Sequence, residues 1–229
     1  MSLALGDMGG IHPTTTRVPH PRRVFVFAAR VGSLYGRKRP EPEHPKHIMD
    51  TSQTVAIIGA GPLGRSLALG AVRAGFRVLL EDVMPSNLHH AQEYIRVNLG
   101  PEALPAVELV STVEDAVRSA GLVIDCVPDE LESKLEILWL LDRMAPPQTI
   151  FATPTTQLSI ADLAACTYRP QKCIAIAAQP SSLANLEPGS TIQLRTSPVT
   201  AAATVEFVAA FWRRLGYEVD VEKENEARV

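Results

Sequence analysis

Apolar and polar positions alternate along this chain in a pattern that repeats from residue 54 to residue 221. Val55-Ala56-Ile57-Ile58 is a short apolar run rich in β-branched residues, which predicts a buried strand rather than a helix. From Pro62 onward Leu63, Leu67, Leu69, Gly70 and Val72 recur at helical spacing, and Gly75 closes the helix. Arg77 to Glu81 predicts a second strand, and Pro85 to Val97 a helix with Ser86 as its cap. The alternation continues with strand Val107–Val110, helix Val113–Ser119, strand Gly121–Val127, helix Leu131–Met144 and strand Thr149–Ala152. Helix Ile160–Ala165, strands Cys173–Ala177 and Thr191–Leu194, helix Ala201–Leu215 and strand Tyr217–Val221 complete it. Strand and helix in regular alternation predict an α/β fold with a doubly wound, mostly parallel sheet. Trp139 with Leu135, Leu138 and Leu141, and Phe207 with Phe211 and Leu215, are expected to be core faces.

Within the first unit Gly59, Gly61 and Gly64 stand at G-x-G-x-x-G spacing between strand and helix, and Asp82 follows 23 residues after Gly59. Gly59 would permit the tight turn, Gly61 would let the backbone approach a pyrophosphate, and Gly64 would let helix and strand pack closely. Pro62 is suited to the first turn, where its missing N–H costs nothing. The neighbouring N–H groups would face the pyrophosphate. Asp82 is placed to accept hydrogen bonds from the adenosine ribose, and its charge would repel a 2′-phosphate, favouring NAD over NADP. Glycine turns also occur for purely structural reasons, but here strand, glycines, helix, second strand and acid occur in the order the motif demands. In such sheets ligands lie beyond the carboxyl ends of the strands, which nominates residues 59–64, Asp82, Val127 to Glu130 and Thr153 to Thr156.

Charge changes the picture at the amino end. Residues 1–48 carry eight Lys/Arg against Asp7, Glu41 and Glu43, leaving 14 basic and 22 acidic residues in the rest. An acidic body argues against nucleic acid as the partner. Six prolines interrupt residues 1–48, which read as an irregular extension, disordered or arising from a mis-called start, with an organelle transit peptide as the lesser alternative. Met49 is then a natural start for a domain over residues 49–229. Cys126, Cys166 and Cys173 have no metal-ligand spacing and are expected to be reduced thiols in a cytoplasmic protein. No apolar run is long enough to span a membrane, and no metal site is expected. Ser181-Ser182 reads as a polar turn, and His89-His90 as a solvated helix face.

The order of segments resembles the NAD-binding domain of the L-3-hydroxyacyl-CoA dehydrogenase family, a Rossmann domain. The GAGPLG turn, Leu80-Glu81-Asp82, VIDCVPDELESKLEIL, TIFATPTTQLSIADLA and RPQKCIAI carry the resemblance. It implies NAD as cofactor and hydride transfer to or from a 3-hydroxyacyl or 3-ketoacyl substrate. It also implies an acidic residue and a lysine near the cofactor, which map to Asp129 or Glu130 and to Lys134. The cofactor set is therefore Gly59, Gly61, Pro62, Leu63, Gly64, Asp82, Val127, Asp129, Glu130 and Lys134.

At the catalytic positions the chain departs from the family. Where the family has Asn-Thr-Ser-Ser, with its first serine on the substrate oxygen, this chain has Pro154-Thr155-Thr156-Gln157; Thr156 is the residue that keeps a hydroxyl. The family's catalytic histidine belongs to a His-Phe-Phe-Asn-Pro stretch, here Ile176-Ala177-Ala178-Gln179-Pro180, and its partner glutamate falls near Gln193. All six histidines precede residue 91. A replacement base would be a water, a lysine such as Lys172, or a group from a partner chain. Activity is expected to be reduced, altered or lost, with an NAD(H)-responsive binding module or an interaction protein as the alternatives. The family's all-helical domain would also have to come from another chain, and apolar surface it leaves uncovered would favour self-association, as a homodimer or with a helical partner.

Overall fold

A computed structural model describes residues 54–224. The expected extension over residues 1–48 lies outside the described residues. The described chain alternates strand and helix as β1 (Thr54–Ile58), α1 (Pro62–Arg73), β2 (Arg77–Glu81), α2 (Pro85–Leu99), β3 (Val107–Val110), α3 (Val113–Val117), β4 (Leu122–Asp125) and α4 (Leu131–Met144). It continues with β5 (Ile150–Pro154), α5 (Ile160–Ala165), β6 (Cys173–Ile176), α6 (Pro180–Ala184), β7 (Thr191–Thr196), α7 (Ala202–Arg214) and β8 (Glu218–Lys223).

The eight strands form one sheet in the order β3-β2-β1-β4-β5-β6-β7-β8. Every ladder is parallel except β6–β7, where Ala175 and Ile176 pair antiparallel with Arg195 and Leu194. Both faces are covered, so strand side chains alternate between two cores. Val55, Ile57, Val78, Leu80, Leu122 and Ile124 face α1, α2 and α7, whose Leu67, Ile95, Phe211 and Trp212 complete that core. Ala56, Ile58, Leu79, Val123 and Phe151 face the other way, against Val117, Leu138, Leu141 and Leu163 of α3, α4 and α5.

Four expectations are corrected. Trp139 is 52% exposed, outside the core, with the Arg143 guanidinium 4.6 Å from its ring centroid. Residue 139 lies on the solvent side of α4, while Leu138 and Leu141 point inward. The apolar face of α7 is centred on Phe211 and Trp212, with Phe207 and Leu215 only partly buried. Ser181 and Ser182 lie in the short helix α6 rather than in a turn. Ser86 does not cap α2; the cap position is Met84, whose N–H is taken instead by Asp82.

Candidate functional site

Order reverses across the sheet between β1 and β4, and the loops leaving these two neighbours diverge. That divergence opens the crevice in which doubly wound sheets hold ligands. Gly59 opens its first wall with φ of +100°, a backbone state that L side chains rarely adopt. A Cβ on Gly64 would stand 1.8 Å from the Gly59 carbonyl oxygen, so only glycine lets α1 begin so close to β1. A Cβ on Gly61 would meet nothing within 4 Å: its α-carbon faces open space above the loop. Pro62 is exposed at the first helical position, Leu63 is buried beneath it, and no side chain caps the helix. The first turn thus offers backbone donors with no acidic residue beside them, which suits an anion.

Asp82 lies just beyond β2 and is 8% exposed. Its carboxylate accepts the Ala60 N–H at 2.8 Å, the Met84 N–H at 2.8 Å and the Asn87 amide at 3.1 and 3.2 Å. It therefore ties the glycine loop to the start of α2. The long, forked contact from Asn87 is the weakest of these, and sugar hydroxyls could replace it. Together the uncapped helix, the open α-carbon of Gly61 and the acid at the end of β2 fit a dinucleotide.

Beside it, Glu81 is 3% exposed on the opposite face of the strand, and burial, with the nearby Asp82 charge, pushes its carboxyl up to about 7. Gly59 donates its N–H to the Glu81 backbone carbonyl at 2.8 Å, so the end of β2 is tied to the glycine turn. Sequence reasoning passed over it because a glutamate closing an apolar strand looks like the last exposed residue.

The second wall is the loop from β4 to α4. Val127 packs partly buried against the α3–α4 core, and Glu130 is exposed at the cap position of α4. Lys134 departs from its expected place: it is fully buried, and its ammonium donates to Asp125 Oδ1 at 2.5 Å. Asp125 is the last residue of β4, so the pair closes the loop like a clasp. Burial pushes the Asp125 carboxyl up, against the lowering pull of Lys134. Asp125 Oδ2 and Thr153 Oγ1, both buried, have no protein partner. Asp129 reaches forward instead, accepting the Thr156 N–H at 3.3 Å.

Thr156 follows β5. Its hydroxyl oxygen accepts the Gln179 amide at 2.6 Å, and its carbonyl accepts Arg195 Nη2 at 3.4 Å. Gln179 belongs to the stretch where the resembled family carries its histidine, and no local sequence signal marked it or Arg195. The two described histidines, His89 and His90, are exposed on α2. Lys172 does not suit the role of base: it precedes β6, at the amino ends of the strands and away from Thr156, and donates to the Gln148 carbonyl. Gln193 donates to Glu222 on β8. Among the described residues Cys126, Cys166 and Cys173 are free thiols, burial pushes each of them up, and no cluster suits a metal. No helix of the described residues is long and apolar enough to cross a membrane.

Comparison with known proteins agrees with this layout. The 3-hydroxybutyryl-CoA dehydrogenase of Bradyrhizobium diazoefficiens is 30% identical over 184 residues, covering 74% of this chain and 61% of its own. The lambda-crystallin homolog of Bos taurus is 31% identical over 176 residues, covering 71% and 54%. The crystal structure of a 3-hydroxyacyl-CoA dehydrogenase from Archaeoglobus fulgidus superposes with a TM-score of 0.65 at 28% identity, covering 76% of this chain and 58% of that one. The chain thus spans about half the length of the curated relatives it matches. The family profile for 3-hydroxyacyl-CoA dehydrogenase, NAD binding domain, matches residues 54–224, the whole of the described sheet. The chain belongs to that family, whose cofactor is NAD.

Proposed function

We propose that this protein is an NAD-dependent oxidoreductase of the 3-hydroxyacyl-CoA dehydrogenase type, passing hydride between NAD and a 3-hydroxyacyl or 3-ketoacyl substrate. The observation that carries the reading is the convergence of the glycine loop, Asp82, the Val127–Glu130 loop and Thr156 at the carboxyl ends of neighbouring strands. The N–H groups of Leu63 and Gly64 would hold the pyrophosphate and Asp82 the adenosine ribose. NAD supplies hydride acceptance at its nicotinamide ring. Thr156 would orient the substrate oxygen: Gln179 donates to its Oγ1, which leaves the hydroxyl proton free to be donated onward. Lys134 would act from within, holding the loop, and not by touching cofactor.

No imidazole faces Thr156 among the described residues, so a water or a group from a partner chain would take the proton. Losing a positioned general base is worth roughly 10²–10⁴ in rate, so turnover is expected to be slow by family standards. That same observation favours a second reading, an NAD(H)-responsive binding module that does not turn over. Association with a helical partner or a second copy belongs to this reading, and the cytoplasm is the compartment that suits free thiols and a nicotinamide cofactor.

Titrating the full chain with NADH by fluorescence, with and without acetoacetyl-CoA or acetoacetate, separates these readings. Binding with loss of nicotinamide absorbance supports the oxidoreductase; binding without loss selects the module. Absence of binding would sink both.

A further inference from the structure

We propose that Arg195 makes this site selective for substrates bearing a free carboxylate, namely 3-hydroxy or 3-oxo acids, over neutral thioesters. The inference rests on reading Thr156 as the group that orients the substrate oxygen. Arg195 lies on β7 opposite Ala175 of β6, on the side of the sheet that α5 covers. Ala175 and, two residues on, Ala177 carry only methyl groups, so the arginine reaches across β6 to the loop after β5. There its one recorded hydrogen bond is the 3.4 Å contact from Nη2 to the Thr156 carbonyl. The guanidinium is half-buried, and no carboxylate of the described residues lies within 4 Å of it.

The acids of this corner are committed elsewhere. Asp129 accepts the Thr156 N–H, and Glu222, the cross-strand neighbour of Arg195, accepts the Gln193 amide. Glu224 accepts Ser159 Oγ and the N–H groups of Ile160 and Ala161 at the start of α5. A guanidinium has five donors, so most of the Arg195 fork is free for a ligand. Its planar geometry matches a carboxylate in two parallel bonds, which a thioester carbonyl cannot reproduce.

Thr156 therefore presents two recognition elements on one residue. The first is a hydroxyl proton left free by Gln179, and the second is a cationic fork held at its carbonyl. A ligand with an oxo or hydroxyl oxygen at C3 and a carboxylate at C1 engages both. In reduction the C3 carbon gains a hydride and its two electrons from NADH, which leaves as NAD. The C3 oxygen gains a proton from water through the Thr156 hydroxyl.

The test uses the full chain with Arg195→Leu and Arg195→Lys, with malonate as an unreactive dicarboxylate probe and acetoacetate against acetoacetyl-CoA as substrates. Calorimetric titration is expected to show malonate binding that weakens about 10- to 100-fold in Arg195→Leu, the loss expected for a charged hydrogen-bonded pair. Arg195→Lys is expected to recover part of it, and the NADH affinity of both variants to match the parent. Equal malonate affinity in parent and Arg195→Leu overturns the proposal, as does a preference of the parent for acetoacetyl-CoA over acetoacetate. Malonate binding is read without cofactor, so failure of NADH to bind would count against the cofactor reading and leave the malonate test of Arg195 intact.

Discussion

Gly64 has no room for a side chain, because a methyl group would sit 1.8 Å from a backbone oxygen that cannot move without opening the turn. Gly64→Ala is expected to cost about 1–3 kcal/mol by overpacking, read as a shift in the urea midpoint, and to lower NADH affinity with it. Asp82→Ala is expected to weaken NADH binding by about tenfold or more, since charge-assisted hydrogen bonds contribute roughly 1.5–3 kcal/mol. An unchanged dissociation constant would remove Asp82 from the cofactor site. Glu81 gives a pH dependence of definite sign. Its carboxyl titrates near 7 in the folded chain and near 4.5 when unfolded, so the folded state holds the proton more tightly. Its contribution to stability is full below about 4.5, is lost as pH rises to about 7, and is constant above. Chemical denaturation from pH 4 to 8 should show this decline in the parent and not in Glu81→Gln.

At the scale of elements, the clasp between β4 and α4 is the feature most open to dissection. A buried ion pair stabilises little, but removing one partner strands a charge, so Lys134→Met is expected to destabilise by about 3–5 kcal/mol. The double change Asp125→Leu with Lys134→Met should recover most of that loss. A thermodynamic cycle of the three variants measures the coupling, and additive losses would show that the pair is not a unit. The other end of α4 is held by Arg169, which donates to Asp142 Oδ1 and to the carbonyls of Asp142, Ala145 and Pro146. Nothing in the helix sequence announced this, because the arginine arrives from the turn before β6. Helix α7 shows the complementary case. Its apolar spacing was legible, but Trp212, packed edge-on to Phe211 and Tyr217, is its buried centre. Trp212→Ala is expected to cost about 3–5 kcal/mol, measured by denaturant unfolding.

For the molecule as a whole, topology decides what the site can be. Strand order turns at β1 and β4, so the dinucleotide crevice lies mid-sheet, with Thr156 one strand further along, just after β5. The antiparallel return of β7 brings Arg195 back beside β6, which a continued parallel crossover would have carried elsewhere. It also leaves β8 as an edge, and this strand carries Glu218, Asp220, Glu222 and Lys223, charges that discourage pairing with another chain. Both cores close within residues 54–224. Removing residues 1–48 is therefore expected to leave the thermal midpoint unchanged by calorimetry, and a lowered midpoint would assign those residues a structural role.

The sequence by itself determined the alternation of strand and helix, the parallel sheet and the glycine turn with its acid. Each rests on local periodicity or on a backbone state that few residues can adopt. The ends of β2 at Glu81 and of α4 at Met144 were legible for the same reason. Contacts between segments distant in the chain were decided only by the tertiary structure. Lys134 reads as a lysine facing the cofactor until the fold places Asp125 beneath it, and Trp139 reads as core until the helix is turned against its sheet. Gln179 and Arg195 reach Thr156 across 23 and 39 residues. No pattern along the chain encodes such pairings; register and the direction of β7 do.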